Sequence, residues 1–416
     1  MLKKKGERSY LEQFFHNHRF EMAVCTLVGT VVGAGVLGIP YVIAKAGFWF
    51  GSLLIFLVGL AFITLNLYVG EIVLRTKDQR QLTGYMEKYL GPHGKWMMTF
   101  VMMFGIYGAM TAYIIGEGET IKAIIGEPTF LLELFQWLPD ILLGFLFTHF
   151  YSVIFFLIVA LIIYRGVKAA GPAELIIISL LFVVVFIIGI YSFGNINVDY
   201  FSTFHPEFFF LPYGVILFSF IGAAAIPELQ EELGKSGRKH MKKALMWGSI
   251  IPLALYFLFT VIVVGLVGLE NFELLEANQR IATVALSVYA NPVLGLCANI
   301  FAMFTMFTTF LTLGIALKEV YHYDYHMNEK LAFVLTLSLP LILALSNFTS
   351  FITLLAITGA VAGGLEGILV VLAYWKAKKL GDRKPEYSLK SPKFVGYILI
   401  ALFSVGILYQ IWQNFF

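Results

Sequence analysis

The chain has 416 residues, 59% of them hydrophobic and only 13% charged, with 40 phenylalanines and a formal net charge of +3. No soluble domain of this size accommodates so much apolar surface, so the composition excludes that class and describes a polytopic membrane protein. Nothing suggests nucleic-acid binding, and no Walker motif is present, which removes ATP as the energy source.

Stretches of about 20 predominantly apolar residues mark spans. In chain order they fall near 22–47, 50–74, 96–124, 141–164, 171–193, 208–231, 244–268, 281–318, 331–346, 350–374 and 394–414, eleven in all. The eighth is long enough for two elements, a short interfacial piece to Ala290 and a spanning helix from about Asn291. The first 21 residues are polar and basic, without the apolar core of a secretory leader.

The loops test the count independently, because Lys and Arg gather on the cytoplasmic side. On this division 26 of the 29 basic residues fall in the N-terminal tail and in alternate connections, and the opposite side holds only Lys45, Lys122 and Arg280. That alternation predicts a multi-pass cell-membrane protein with its N-terminus inside and its C-terminus outside. Cys25 and Cys297 both lie within spans and support neither a disulfide nor a metal site.

The first span contains TVVGAGVLGIPYVIAKAG, residues 30–47. Each of its glycines Gly33, Gly35 and Gly38 weakens a helix by roughly 1 kcal/mol relative to alanine, and Pro40 removes a backbone donor. The sixth span, FSFIGAAAIPELQEEL, repeats the pattern with Gly222-Ala223 and Pro227. The second break comes five spans after the first, an odd offset, so the second copy enters the membrane from the opposite side. This predicts an inverted repeat: a tail over 1–21, a first repeat over 22–193, a second over 208–374, and an eleventh helix with the external C-terminus over 394–416. Backbone groups left unpaired in lipid cost several kcal/mol each, so a broken helix persists only where protein, water, ion or substrate satisfies it. Paired breaks in two inverted halves point to a secondary-transporter site.

Three stretches carry a family resemblance: GTVVGAGVLGIPYVIAKAG in the first helix, IYGAMTAYIIGEG (residues 106–118) in the third, and MFTTFLTLGIAL (residues 306–317) in the eighth. Together they resemble the amino acid/auxin permease family and its bacterial aromatic amino acid permease relatives, transporters of the LeuT-type fold. The resemblance implies an all-α membrane protein with a 5+5 inverted repeat, importing an amino acid together with a cation. In that reading the Gly33, Ala34 and Gly35 amides hold the substrate carboxylate at a helix N-terminus, and carbonyls of Val31, Val32, Phe218 and Ser219 receive the ammonium. Phe220 and Ile221 line or gate the pocket, and Tyr107 is preferred over Tyr113 as the substrate-side hydroxyl.

Thr305, Thr308, Thr309 and Thr312 share one helix face. Threonines in membrane helices also bond back to their own helix. The family reading instead places a cation between this helix and the first break, held by hydroxyls of Thr308 and Thr309 and carbonyls of Thr305, Gly29 and Val32. Sodium and proton coupling both stay open: the fifth span lacks a lysine that some proton-coupled relatives place there, whereas the aromatic permeases resembled are regarded as proton symporters. Carboxylates within spans are functional candidates by default, and Glu117, Glu228 and Glu366 are the proton-coupling candidates. Glu71 and Glu174 fall near cytoplasmic ends and Glu119 near the external end.

His322 and His326 have metal-compatible spacing but fit ordinary loop residues better. An intramembrane enzyme needs a nucleophile and base that the sequence does not pair. A membrane sensor with the same binding site is the alternative to transport, and the tail of about 21 residues is short for one. No resident cofactor is expected. The expected partners are a neutral amino acid, aromatic or branched, a coupling Na+ or H+, and the bilayer.

Overall fold

The structure, a computed structural model, describes residues 18–165, 183–192 and 194–415. Among these residues every regular element is helical. The first span is broken as its glycines predict: α1 (Arg19–Val31) and α2 (Gly35–Ala46) meet at 55° across Val32, Gly33 and Ala34. Nearly every residue of α2 is buried, as befits a helix that is apolar all round and packed on every side. Gly47 then turns the chain with φ +106, where a Cβ would sit 2.7 Å from the Thr203 carbonyl oxygen, so both conformation and space require glycine.

After this turn come α3 (Phe48–Arg75), the short α4 (Leu82–Leu90), α5 (Pro92–Ile125), α6 (Phe130–Leu134), α7 (Asp140–Arg165) and α8 (Val183–Ser192). The 34 residues of α5 extend about 50 Å, well beyond a bilayer core. Most of the fifth predicted span, Glu174 included, lies outside the described residues.

The second half opens with its own break. Helix α9 (Leu211–Phe220) ends at Ile221, a single tight turn covers Ala223–Ala225, and α10 (Ile226–Gly237) follows. Next are α11 (Met241–Leu274), α12 (Ala282–Tyr289) and α13 (Pro292–Glu319). The side chain of Asn291 caps α13 by accepting from the Val293 and Leu294 amides, which divides the long eighth segment. Helices α14 (Glu329–Leu345), α15 (Phe351–Thr358), α16 (Gly364–Leu380) and α17 (Lys393–Phe415) complete the chain, with a wide π-type turn, Gly359–Gly363, between α15 and α16. Counting each broken pair once, and the described end of the fifth span, these elements are compatible with eleven crossings.

The centre of the bundle is built where backbones touch. A Cβ on Gly214 of α9 would lie 2.8 Å from Cα of Ala356, and one on Gly359 would lie 2.8 Å from Cβ of Phe218. Small residues allow this approach between helices that have no hydrophobic drive to associate in lipid. Leu142, Phe145, Leu157, Ile187, Leu339 and Ile342 are exposed on the outside, as a lipid-facing surface requires.

At one end of the bundle the segment 381–392 straps α16 to α3. Fully buried Glu71 is paired with Arg75 at 2.8 Å and Lys378 at 3.0 Å, and accepts the Leu389 amide at 2.7 Å. The Tyr68 and Tyr374 rings stack beside it, 3.8 Å between centroids and 2° from parallel. Glu71 thus lies near a helix end, as its position implies, but it is sealed under the strap and not exposed.

Candidate functional site

The two breaks meet. A Cβ on Gly35, the first residue of α2, would lie 2.7 Å from Cα of Ser219 in the last turn of α9, and one on Gly222 would overlap the Val31 side chain. The chain therefore brings Val31, Gly33, Ala34 and Gly35 together with Ser219, Ile221 and Gly222 at one point. Helix α1 ends there with its C-terminal carbonyls, α2 begins there with its unpaired amides, and α9 ends there too.

The hydrogen bonds at this junction are specific. The Val32 amide donates to Val28, closing α1, and the Gly33 amide turns back to the Val31 carbonyl at 3.1 Å. Of the three amides expected to receive a carboxylate, Gly33 is thus already occupied. Those of Ala34 and Gly35 stand at the start of α2, where the first N–H groups have no intrahelical partner. On the other side the Ile221 amide donates to the Phe218 carbonyl at 3.3 Å. The Ser219 hydroxyl donates its hydrogen back to the Val215 carbonyl at 2.8 Å, and its oxygen, like the Ser219 main chain, lies against Gly35.

A residue that the sequence reading missed links the two sides. Tyr256 of α11 is fully buried, and its hydroxyl lies 2.8 Å from the Val31 carbonyl oxygen and 2.7 Å from that of Ser219. Its ring is edge-on to Phe220, with centroids 5.1 Å apart. Nothing about Tyr256 in sequence distinguishes it from the chain's other tyrosines. Only the fold brings α11 against both breaks.

The two third-helix tyrosines have exchanged places relative to expectation. Tyr113 is the one beside the first break: its hydroxyl would be 3.5 Å from a Cβ on Gly33. Tyr107 lies six residues away, about 9 Å along α5. Its hydroxyl is engaged with Tyr321 at 2.6 Å and with the Leu335 carbonyl at 3.1 Å. At the first break the structure therefore places Tyr113 and not Tyr107, the residue preferred from the motif. Helix rotation and rise decide which ring faces Gly33, and a motif alone does not contain that choice.

Phe220, expected to line or gate the pocket, is the last residue of α9. It is buried and stacked on Phe62 with centroids 6.0 Å apart, on the side of α3 and α11. Phe218 and Ile221 are only half-buried and face the π-type turn at Gly359 and Gly363.

In α13 all four threonine hydroxyls bond back to their own helix. Thr305 donates to Phe301, Thr309 to Thr305 at 2.8 Å, Thr308 to Phe304 and Thr305 at 3.0 and 3.2 Å, and Thr312 to Thr308. The Thr305 carbonyl thus receives two hydroxyls of its own helix. Each hydroxyl keeps a lone pair beyond the hydrogen it donates.

The three carboxylate candidates separate by depth. Glu228 is exposed in the first turn of α10, where the helix N-terminus favours an acidic side chain. Glu366 is buried in the first turn of α16, just past the π-type turn. Glu117 is fully buried in α5, one turn beyond Tyr113, and neither carboxyl oxygen has a hydrogen-bond partner among the described residues. The Phe307 amide lies beside it but is committed to the α13 ladder.

A cavity of about 330 Å³ lies elsewhere, at the end of α5, lined by Glu119, Lys122, Glu127 and Gln279 with residues of α12 and α13. It does not reach the breaks, where the helices are in direct contact.

Comparison with known proteins agrees with this architecture. The crystal structure of MhsT in complex with L-phenylalanine superposes with a TM-score of 0.65 over 99% of this chain and 100% of that one, at 16% sequence identity. The fold is thus the all-helical LeuT type with two inverted repeats and broken first and sixth spans. Tyrosine-specific transport system 2 of Haemophilus influenzae is 26% identical over 85% of this chain and 86% of its own. Tyrosine-specific transport system 1 of the same organism is 25% identical over 86% and 88%, and glutamine transporter 2 of Aliivibrio fischeri 23% over 80% and 83%. The tryptophan/tyrosine permease family matches residues 16–413. With almost the whole length matched, the chain belongs to the tryptophan/tyrosine permease family.

Proposed function

We propose that this protein is a secondary active transporter that imports neutral amino acids, aromatic ones foremost, by proton symport. The observation that carries the reading is the meeting of two broken helices at Gly35 and Ser219. Unpaired amides and helix-end carbonyls of opposite polarity converge there, and a zwitterion is the small molecule that satisfies both. Family membership and the tyrosine-specific relatives support the aromatic preference, and the glutamine relative supports neutral substrates more broadly.

Ala34 and Gly35 hold the carboxylate, joined by the Tyr113 hydroxyl, and the Val31 and Ser219 carbonyls hold the ammonium. Phe218 and Ile221 border the side chain of the substrate. Glu117 carries the coupling proton. A charge in its surroundings costs several kcal/mol because nothing among the described residues pairs with it, and taking up a proton removes that cost. Protonation therefore favours arrangements in which Glu117 is sealed, and deprotonation those in which water reaches it. Differential affinity of this kind is what couples an ion to alternating access. The N-terminus lies in the cytoplasm, so the strap at Glu71 is on the cytoplasmic side.

Uptake of labelled L-tyrosine into proteoliposomes tests the reading. An inwardly directed proton gradient is expected to drive accumulation, and an equal sodium gradient at constant pH is not. Accumulation with sodium alone would move the coupling to the Thr305, Thr308 and Thr309 site. Binding without uptake under either gradient would support the sensor alternative.

A further inference from the structure

Two main-chain carbonyls from different halves of the chain converge on one side-chain hydroxyl. Tyr256 Oη is 2.8 Å from the Val31 oxygen and 2.7 Å from the Ser219 oxygen. A phenol has one hydrogen to donate, so it satisfies one of these acceptors fully and leaves the other short. Val31 has a second donor in the Gly33 amide at 3.1 Å. For Ser219, the Tyr256 hydroxyl is the donor that the described residues supply. Both oxygens stand at the C-terminal ends of half-helices, where aligned peptide dipoles concentrate negative charge. The edge-on contact with Phe220 fixes the ring, so the hydroxyl is held on the pair.

A buried acceptor surplus at the negative ends of two helices suits a cation that brings several N–H donors. We propose that Tyr256 is the ammonium-positioning residue: without substrate its hydroxyl stands in for an α-ammonium between Val31 and Ser219, and it yields these oxygens when the ammonium of an α-amino acid enters. The proposal deepens the transport reading and rests on it. An acid lacking the amine brings no donors, so the hydroxyl must stay between the two carbonyls beneath it. Tyr256 then sets how strongly the site discriminates between amino acids and their desamino counterparts.

The test compares L-tyrosine with 3-(4-hydroxyphenyl)propionate, the same molecule without the amine, in equilibrium binding to purified wild-type protein and the Tyr256→Phe variant. L-Tyrosine affinity is expected to rise by about tenfold in the variant, because its ammonium then fills carbonyls that the empty site leaves without their donor, while the desamino acid, which leaves those carbonyls as it finds them in either protein, is expected to stay within about threefold. Parallel losses for both ligands, or no change for either, would overturn the proposal while leaving the transport reading standing. Failure of the wild type to bind L-tyrosine would overturn both. Thermal unfolding gives a second reading: saturating L-tyrosine is expected to raise the melting temperature of the variant more than that of the wild type, and equal shifts contradict the proposal. The wild type alone gives a third. N,N,N-Trimethyl-L-tyrosine, charged but without N–H groups, is expected to bind no better than the desamino acid, and binding as tight as L-tyrosine overturns the assignment.

Discussion

Gly35 packs directly on Ser219: a Cβ on Gly35 would overlap the Ser219 hydroxyl and stand 2.7 Å from the Ser219 Cα. No side chain other than hydrogen fits between the first turn of α2 and the last turn of α9. Gly35→Leu is therefore expected to separate the two breaks and abolish L-tyrosine binding. Gly35→Ala, with one methyl group to accommodate, should weaken it on the order of tenfold or more, given the cost of overpacking. Equilibrium binding on folded, monodisperse protein checks both, and retained affinity in the leucine variant would remove the breaks from the site.

Tyr113 and Tyr107 make opposite predictions. Tyr113→Phe removes the hydroxyl beside Gly33 and should weaken L-tyrosine binding about tenfold, as loss of a hydrogen bond to a charged group does. Tyr107→Phe removes the bonds to Tyr321 and Leu335. It should cost about 1 kcal/mol of stability and leave the dissociation constant nearly unchanged. Titrations and melting curves of the pair separate the two roles.

Glu117→Gln keeps the shape of the side chain and takes away its titration. Exchange of internal for external L-tyrosine should persist in this variant, while accumulation driven by a pH gradient should fall to the level without a gradient. Thr309→Ala should leave proton-driven uptake intact, because the Thr309 hydroxyl donates to the Thr305 carbonyl of its own helix. Counterflow and gradient-driven uptake in the same proteoliposomes check both. Wild-type accumulation by Glu117→Gln would remove this carboxyl from coupling.

Glu71→Gln leaves Arg75 and Lys378 without the carboxylate that both approach. Breaking a buried pair costs several kcal/mol, and partial exposure of the two cations reduces this to on the order of 2 kcal/mol. A lower melting temperature and faster proteolysis within residues 381–392 are the expected outcomes. Unchanged cleavage would show that the strap is held by Tyr387 and Leu389 contacts instead.

The broken helices were legible because glycine and proline punctuate an otherwise apolar pattern, and because the punctuation occurs twice. Gly33, Gly35 and Gly222 state where the backbone departs from a helix before any packing is known. Side chains aimed at the junction were not legible in the same way. Tyr107 and Tyr113 share a motif, and only the rotation of α5 against α2 puts Tyr113 at Gly33. Tyr256 carries no local signal, since its role comes from where α11 crosses the two breaks. Depth was equally hidden: Glu117 and Glu228 look alike in sequence, yet one faces packed helices and the other begins a helix at the surface. A stripe of threonines likewise cannot reveal whether its hydroxyls point outward or back along their own helix.

The central claim is that the junction of the broken helices binds the amino acid, and an experimental structure with L-tyrosine bound tests it most directly. The account predicts ligand density between the two breaks, its carboxylate at the Ala34 and Gly35 amides and its ammonium on the Val31 and Ser219 carbonyls. Density confined to the cavity between Glu119, Lys122 and Gln279, with the Gly35 and Ser219 contact unchanged, would contradict it.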